Sequence, residues 1–311
     1  LVNYWFSLLG FLSQAWISHH IWTRRTQKLA KEELVFDTPF YDALVIEQSL
    51  LLNRRMDDEA DDVAPGTLER LSSRSRIVGC ATMWHETREE MRELLKSALG
   101  MDKDSQGRGR AGEDAYTWEM HIFFDDAFSP GGDALNKYVK QLVSLLEEKG
   151  LTLEKRVSTP YGGQLIWALP QGTHMIIHLK DKQKIRAKKR WSQCMYFLYF
   201  LGINIVERLE QLGGEEVEGL LTHAEHQLLQ NTFLLALDGD VTFSPDSILK
   251  LVDLMRRDDG VGVTCGRVHP EGSGLLPSYQ KFEYAVGHWL QKTTEQVLGN
   301  VLCAPGCFSL F

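Results

Sequence analysis

Two aspartates one residue apart close an apolar run in "TFLLALDGDVTF", residues 232–243. A run of this length, bounded by polar residues, predicts a strand buried on both faces. Asp238 and Asp240 then stand at its carboxyl end, where open α/β sheets bind ligands. Gly239 between them lets the backbone turn tightly and approach a ligand. Two carboxylates at one strand tip repel unless a cation or a donor-rich ligand lies between them. A polar turn that merely ends a strand is the plain alternative.

Two further stretches could join them. In "ATMWHET", Thr82, Trp84, His85 and Glu86 mark a strand-to-helix transition. An aromatic ring for stacking and a carboxylate for a base or ribose suit a nucleotide there, although Glu86 and Thr87 could simply cap the helix. In "HLKDKQKIRAKKRW", seven basic residues fall between Lys180 and Arg190. Lys180 and Lys182 follow an apolar strand directly and are placed to reach a diphosphate. The later ones solvate a helix or face anionic lipid. Without interleaved aromatics, and in a chain of net charge −8, this run does not predict a nucleic-acid surface.

The elements that must position these groups alternate along the chain. Strands are predicted at "IVGCATMW" (77–84), "EMHIFFDDAF", "QLIWAL", "HMIIHL", the opening run and "VGVTCGRV". Helices are predicted from Met91, Leu94, Leu95, Ala98 and Leu99, from Leu135 to Leu146, in "PDSILKLVDLMRR", and around 279–298. Such alternation predicts an α/β fold with a mostly parallel sheet covered on both faces. With 311 residues, 43% of them hydrophobic, the chain can bury a full core. Five scattered cysteines predict a reducing compartment, and Cys303 and Cys307 lack a second pair for zinc.

Residues 1–23 carry no Lys, Arg, Asp or Glu, and Arg24, Arg25 and Lys28 follow. This predicts a transmembrane helix with a basic cytoplasmic flank. Residues 24–76 read as a connector with an amphipathic helix and the acidic loop "MDDEADDVAPG". Residues 77–311 read as the α/β domain. The start at Leu1 and the close in "CAPGCFSLF" predict a piece of a longer chain.

The blocks "CATMWHETREEM", "HIFFDDAF", "TPYGGQLIWALP", "HLKDKQKIRAKKRWSQ", "LALDGDVTF", "CGRVHPEGSG" and "YQKFEYAVGHWLQKTTEQVLGNVLCAPGCFSLF" together resemble the chitin synthases, most closely the animal type. The resemblance implies a GT-A (Rossmann-like) domain of glycosyltransferase family 2. The implied activity is processive, inverting transfer of N-acetylglucosamine from UDP-N-acetylglucosamine to a growing β-1,4 chitin chain. It further implies a divalent metal, Mg²⁺ or Mn²⁺, a lipid bilayer and a plasma-membrane location with the catalytic domain cytosolic, and leaves a homo-oligomer open. By similarity Thr82, Glu86, Lys180, Lys182, Asp238, Cys265, Gly266 and Arg267 contact the donor, and Asp240 binds the metal. Gln280, Phe282, Glu283 and Tyr284 match the acceptor-side block. The family's catalytic aspartate and its Gln-x-x-Arg-Trp motif follow the position of Phe311, so no catalytic base is named and this piece alone is expected to be inactive. Asp125 and Asp126 sit in a different family block and are assigned a structural part. A hyaluronan or cellulose synthase relative, a D-x-D-x-T phosphatase and an inactive membrane scaffold of glycosyltransferase fold are the alternatives. The first two fit fewer blocks.

Overall fold

The buried runs become the centre of one sheet in the computed structural model, which describes residues 2–22, 74–107, 115–130, 134–205, 228–258, 260–297, 301 and 303–311. The connector helix and acidic loop expected within residues 24–76 fall almost wholly outside the described residues. Residues 1–44 and 45–311 form separate compact units.

In the first unit, α1 spans Val2–Trp22 and exposes Trp5, Leu9, Phe11 and Trp16. The expected membrane crossing is not supported. No helix among the described residues is long and apolar enough to cross a membrane. The physical reason is composition: Asn3, Ser7, Ser13, Gln14, Ser18, His19 and His20 interrupt the apolar residues, and each polar group lowers the gain from entering hydrocarbon.

The second unit is built on strands β1 (Ser75–Met83), β2 (Tyr116–Phe124), β3 (Thr152–Thr159), β4 (Gly162–Ala168), β5 (His174–Lys180), β6 (Thr232–Asp238), β7 (Thr264–Cys265) and β8 (Phe308–Leu310). Among the described residues they form a sheet of order β3-β4-β5-β2-β1-β6-β8-β7. The four strands β5, β2, β1 and β6 run parallel, and both flanks add antiparallel strands. This is a mixed α/β sheet around a parallel core, and it fits a GT-A domain.

Strand periodicity sorts the core into two layers. Ile77, Ala81 and Met83 of β1 and Phe233, Leu235 and Leu237 of β6 point to one face. There they meet helices α2 (Arg88–Gly107), α3 (Lys137–Glu148) and α5 (Pro245–Arg256), where α4 denotes Lys189–Leu198 on the opposite side. Val78, Cys80, Leu234 and Ala236 point to that opposite face and pack against Met195 and Tyr196 of α4 and against Tyr199 and Phe200 beyond it. Helix starts follow capping chemistry. Asn136 accepts a hydrogen bond from the Val139 backbone N–H at 2.9 Å, and Ser244 caps α5 ahead of Pro245. Helix α6 (Leu275–Val286) continues through a π-helical turn to Val297 and leaves its apolar residues exposed.

A polar chain runs through the second layer. Glu119, His121, His178 and Tyr161 are linked in sequence at 2.8, 2.9 and 2.8 Å. Burial, followed by the nearby His121, holds the His178 imidazole well below its usual pKa, so it is neutral at pH 7.

Candidate active site

Strand β1 lies between β2 and β6, and the chain leaves β1 toward β2 on one side but leaves β6 toward β7 and β8 on the other. A sheet opens a crevice at such a switch point, outside the carboxyl ends of its strands. Here the crevice has a volume of about 160 Å³ and is lined by Thr82, Met83, Trp84, Glu86, Asp125, Lys189, Asp238, Gly239 and Asp240. Parallel pairing sets Thr82 beside Asp238 and beside Phe123, so the strand tips end level. Gly239 is required by close approach. A Cβ there would lie 2.8 Å from Met83 Cγ and 3.0 Å from the Glu86 carboxylate.

The electrostatics follow from crowding acids into a partly dry corner. Burial first, and then the Asp238 charge, raises the Asp240 carboxyl above its ordinary pKa. Burial raises Glu86 against its own hydrogen bonds, including one donated by the Trp84 backbone N–H at 2.6 Å, and Asp240 adds to the rise. Lys189 forms an ion pair with Asp238. Thr82 is buried, and its hydroxyl has no hydrogen-bond partner among the described residues, which leaves a donor and acceptor to be satisfied by a ligand. Trp84 is exposed and stacks on His85 at 3.9 Å between ring centroids, and His85 stacks on Tyr138 at 4.3 Å. That arrangement fixes an aromatic face at the rim. Cys307 lies within reach of the same charges. Burial first, then Asp238, pushes its thiol up, so it is not a ready nucleophile.

Of the residues expected at the donor, the crevice brings together Thr82, Glu86 and Asp238, and with them Asp240, expected at the metal. Lys180 is not on the lining. It is fully buried below, where its ammonium donates to Asp125 Oδ1 at 2.7 Å and to Ser192 Oγ at 2.6 Å. Lys182 is exposed and paired with Asp126 at 3.0 Å. Cys265, Gly266 and Arg267 sit at the far edge of the sheet, off the lining. Cys265 Sγ accepts from Ser309, Gly266 makes room for the Phe308 ring, and Arg267 lies over Trp289 at 5.3 Å. Gln280, Phe282, Glu283 and Tyr284 are exposed on α6, also off the lining.

Two lining residues stand where the sequence reading did not put them. Asp125, assigned a structural part, is in the crevice. Lys189, grouped with the solvated lysines, lines the crevice and pairs with Asp238, whereas Lys180 meets Asp125 from below. The signal for Lys189 was its phase. Ser192 and Tyr196 are buried on α4, and Lys189 precedes them by three and seven residues, on the same helical face.

Residues 175–311 match the family profile described as chitin synthase. The chain is 42% identical over 316 residues to chitin synthase chs-1 of Caenorhabditis elegans, covering 90% of this chain and 23% of that protein. It is 38% identical over 367 residues to chs-2 of the same nematode (99% of this chain, 21% of that protein) and 38% identical over 392 residues to a chitin synthase of Meloidogyne artiellia (98% and 21%). The chain belongs to the chitin synthase family. It spans about a fifth of the length of these relatives. Within the chitin synthase profile fall Lys189, Asp238 and Asp240, whereas the Thr82–Glu86 corner precedes it and is covered by the pairwise matches.

The acids can be asked directly whether they suit a divalent cation. Among the described residues no group of three or more His, Cys, Asp or Glu could hold a metal ion. A closed all-protein site is thereby excluded within that set. Asp238 and Asp240 are hard oxygen donors in number and kind suited to a Mg²⁺-like ion that takes its remaining ligands from phosphate and water. The donor set therefore fits an ion bound together with a diphosphate.

Proposed function

We propose that residues 77–311 are the donor-binding part of a processive, inverting glycosyltransferase that adds N-acetylglucosamine from UDP-N-acetylglucosamine to a growing β-1,4 chitin chain. The observation that carries this reading is the shared crevice. A buried hydroxyl without a partner among the described residues, an exposed tryptophan, three aspartates, a glutamate and a lysine converge at the carboxyl ends of β1, β2 and β6.

Each group has a part in that reading. Trp84 offers its face to the uracil, while Thr82, Glu86 and Asp125 offer hydrogen bonds to the uridine. Asp240, with Asp238, would hold Mg²⁺ or Mn²⁺, which supplies charge neutralisation for the departing UDP. Lys189 is the lysine placed to share the diphosphate, and its ion pair with Asp238 keeps it extended toward that place. Inversion needs a base for the acceptor 4-hydroxyl, and none of the lining carboxylates is assigned that task. A bilayer partner and a plasma-membrane setting rest on the family resemblance, and α1 is not offered as their anchor.

Calorimetry of UDP binding to the 311-residue chain tests the reading. Binding should require Mn²⁺ or Mg²⁺, and Asp240→Ala should abolish the metal dependence. A folded chain that binds no UDP would instead favour an inactive scaffold.

A further inference from the structure

A buried triad lies beneath the crevice, built from three separate elements. Lys180 ends β5, Asp125 follows β2, and Ser192 is one turn into α4. All three are buried, Lys180 and Ser192 completely. Ser192 accepts from the Lys180 ammonium at 2.6 Å and donates to Asp125 Oδ1 at 2.7 Å. Lys180 also donates to Oδ1, at 2.7 Å. Among the described residues both hydrogen bonds to this carboxylate fall on Oδ1, and Asp125 lines the crevice.

A lone Lys180–Asp125 contact would leave the carboxylate free to rotate about its Cβ–Cγ bond. Two donors converging on Oδ1 from different directions, one from β5 and one from α4, fix that rotation. Ser192 also supplies the acceptor that a buried ammonium needs beyond its ion pair. Its helix is held at the site a second time, because Lys189 one turn earlier pairs with Asp238.

We propose that Ser192 is a positioning residue for donor recognition: through its hydrogen bond to Asp125 it aims that carboxylate at the nucleoside half of the donor. This rests on the donor reading above. Lys180 on this view is an internal counter-ion and never meets the diphosphate. The nucleoside and diphosphate halves of the crevice are consequently separable: Asp125 and Ser192 govern the first, Lys189, Asp238 and Asp240 the second.

The test is calorimetry on the 311-residue chain with two probes, UDP with Mn²⁺ and pyrophosphate with Mn²⁺. Ser192→Ala should weaken UDP by about tenfold, the range for loss of one hydrogen bond to a charged group, and leave pyrophosphate unchanged. Asp125→Asn should show the same selectivity. In the Asp125→Asn background, Ser192→Ala should cost nothing more, since a residue that acts through another adds nothing once that other is altered. Equal weakening of both probes, additive losses, or unchanged UDP binding would each overturn the proposal. A wild-type chain that binds pyrophosphate or UDP under none of these conditions overturns the donor reading itself, and this inference with it.

Discussion

Replacing Lys180 by methionine separates two physical roles for that lysine. If it met the diphosphate, its loss would weaken UDP and spare the fold. The structure instead encloses it completely and sets it 2.7 Å from Asp125. Burial lowers its pKa despite the opposing attraction of Asp125, so desolvation outweighs pairing for the ammonium. Methionine removes that penalty but strands the Asp125 carboxylate with Ser192 alone. Breaking one partner from a buried pair costs about 3–5 kcal/mol, which for a domain of this size lowers Tm by roughly 6–20 °C. Thermal and urea denaturation of the 311-residue chain reads both quantities. The double change Lys180→Met with Asp125→Asn should regain most of the loss, because a neutral pair no longer buries a lone charge. A Lys180→Met chain of unchanged stability that fails to bind UDP would refute the buried counter-ion and restore the diphosphate role.

Two more outcomes follow from geometry and charge. Gly239→Ala forces a methyl against Met83 and the Glu86 carboxylate, at 2.8 and 3.0 Å. It should cost about 1–3 kcal/mol in urea denaturation and weaken UDP binding, and an unchanged chain on both counts would show that the two loops are not in contact. His178 is neutral in the fold but protonates near its usual 6.5 when unfolded. The unfolded chain therefore binds the extra proton, so stability is lost as pH falls below 6.5. His178→Gln should flatten that slope relative to wild type between about pH 6.5 and 5, and equal slopes would place the acid sensitivity elsewhere.

The parallel core was legible because its strands are buried on both faces and therefore nearly unbroken in apolar character, as in "IVGCATM" and "FLLALD". Strand β3 was not. Its sequence "TLEKRVST" has charged residues along its exposed side and sits on the sheet edge, where burial imposes little pattern. The three-residue β8 is set by pairing with β6 across some 70 positions and with β7 across some 45, which no local pattern encodes, whereas β7 keeps two residues of the strand predicted at "VGVTCGRV". Helix α1 formed where expected, yet helix formation and membrane crossing ask different things of the same residues. The first needs backbone propensity, the second an apolar surface all round, and Ser13, Gln14 and His19 withhold it.

The site shows the same division at finer grain. Strand ends are countable from sequence, so Thr82, Glu86, Asp238 and Asp240 could be assigned to one corner. The basic run could not be sorted by counting, because seven cations in eleven positions differ only in direction. Lys180 is the last residue of a buried strand and turns inward, Lys182 turns out to Asp126, and Lys189 begins a helix whose Ser192 and Tyr196 face the sheet. What selected Lys189 was the burial of its helical neighbours rather than its own charge. A lysine is drawn to an acidic corner by the apolar residues that fix its helix, and in this chain the same helix brings Ser192 to the other side of that corner. The pair of contacts, Lys189 on Asp238 and Ser192 on Asp125, makes α4 the element whose displacement would alter both halves of the crevice at once.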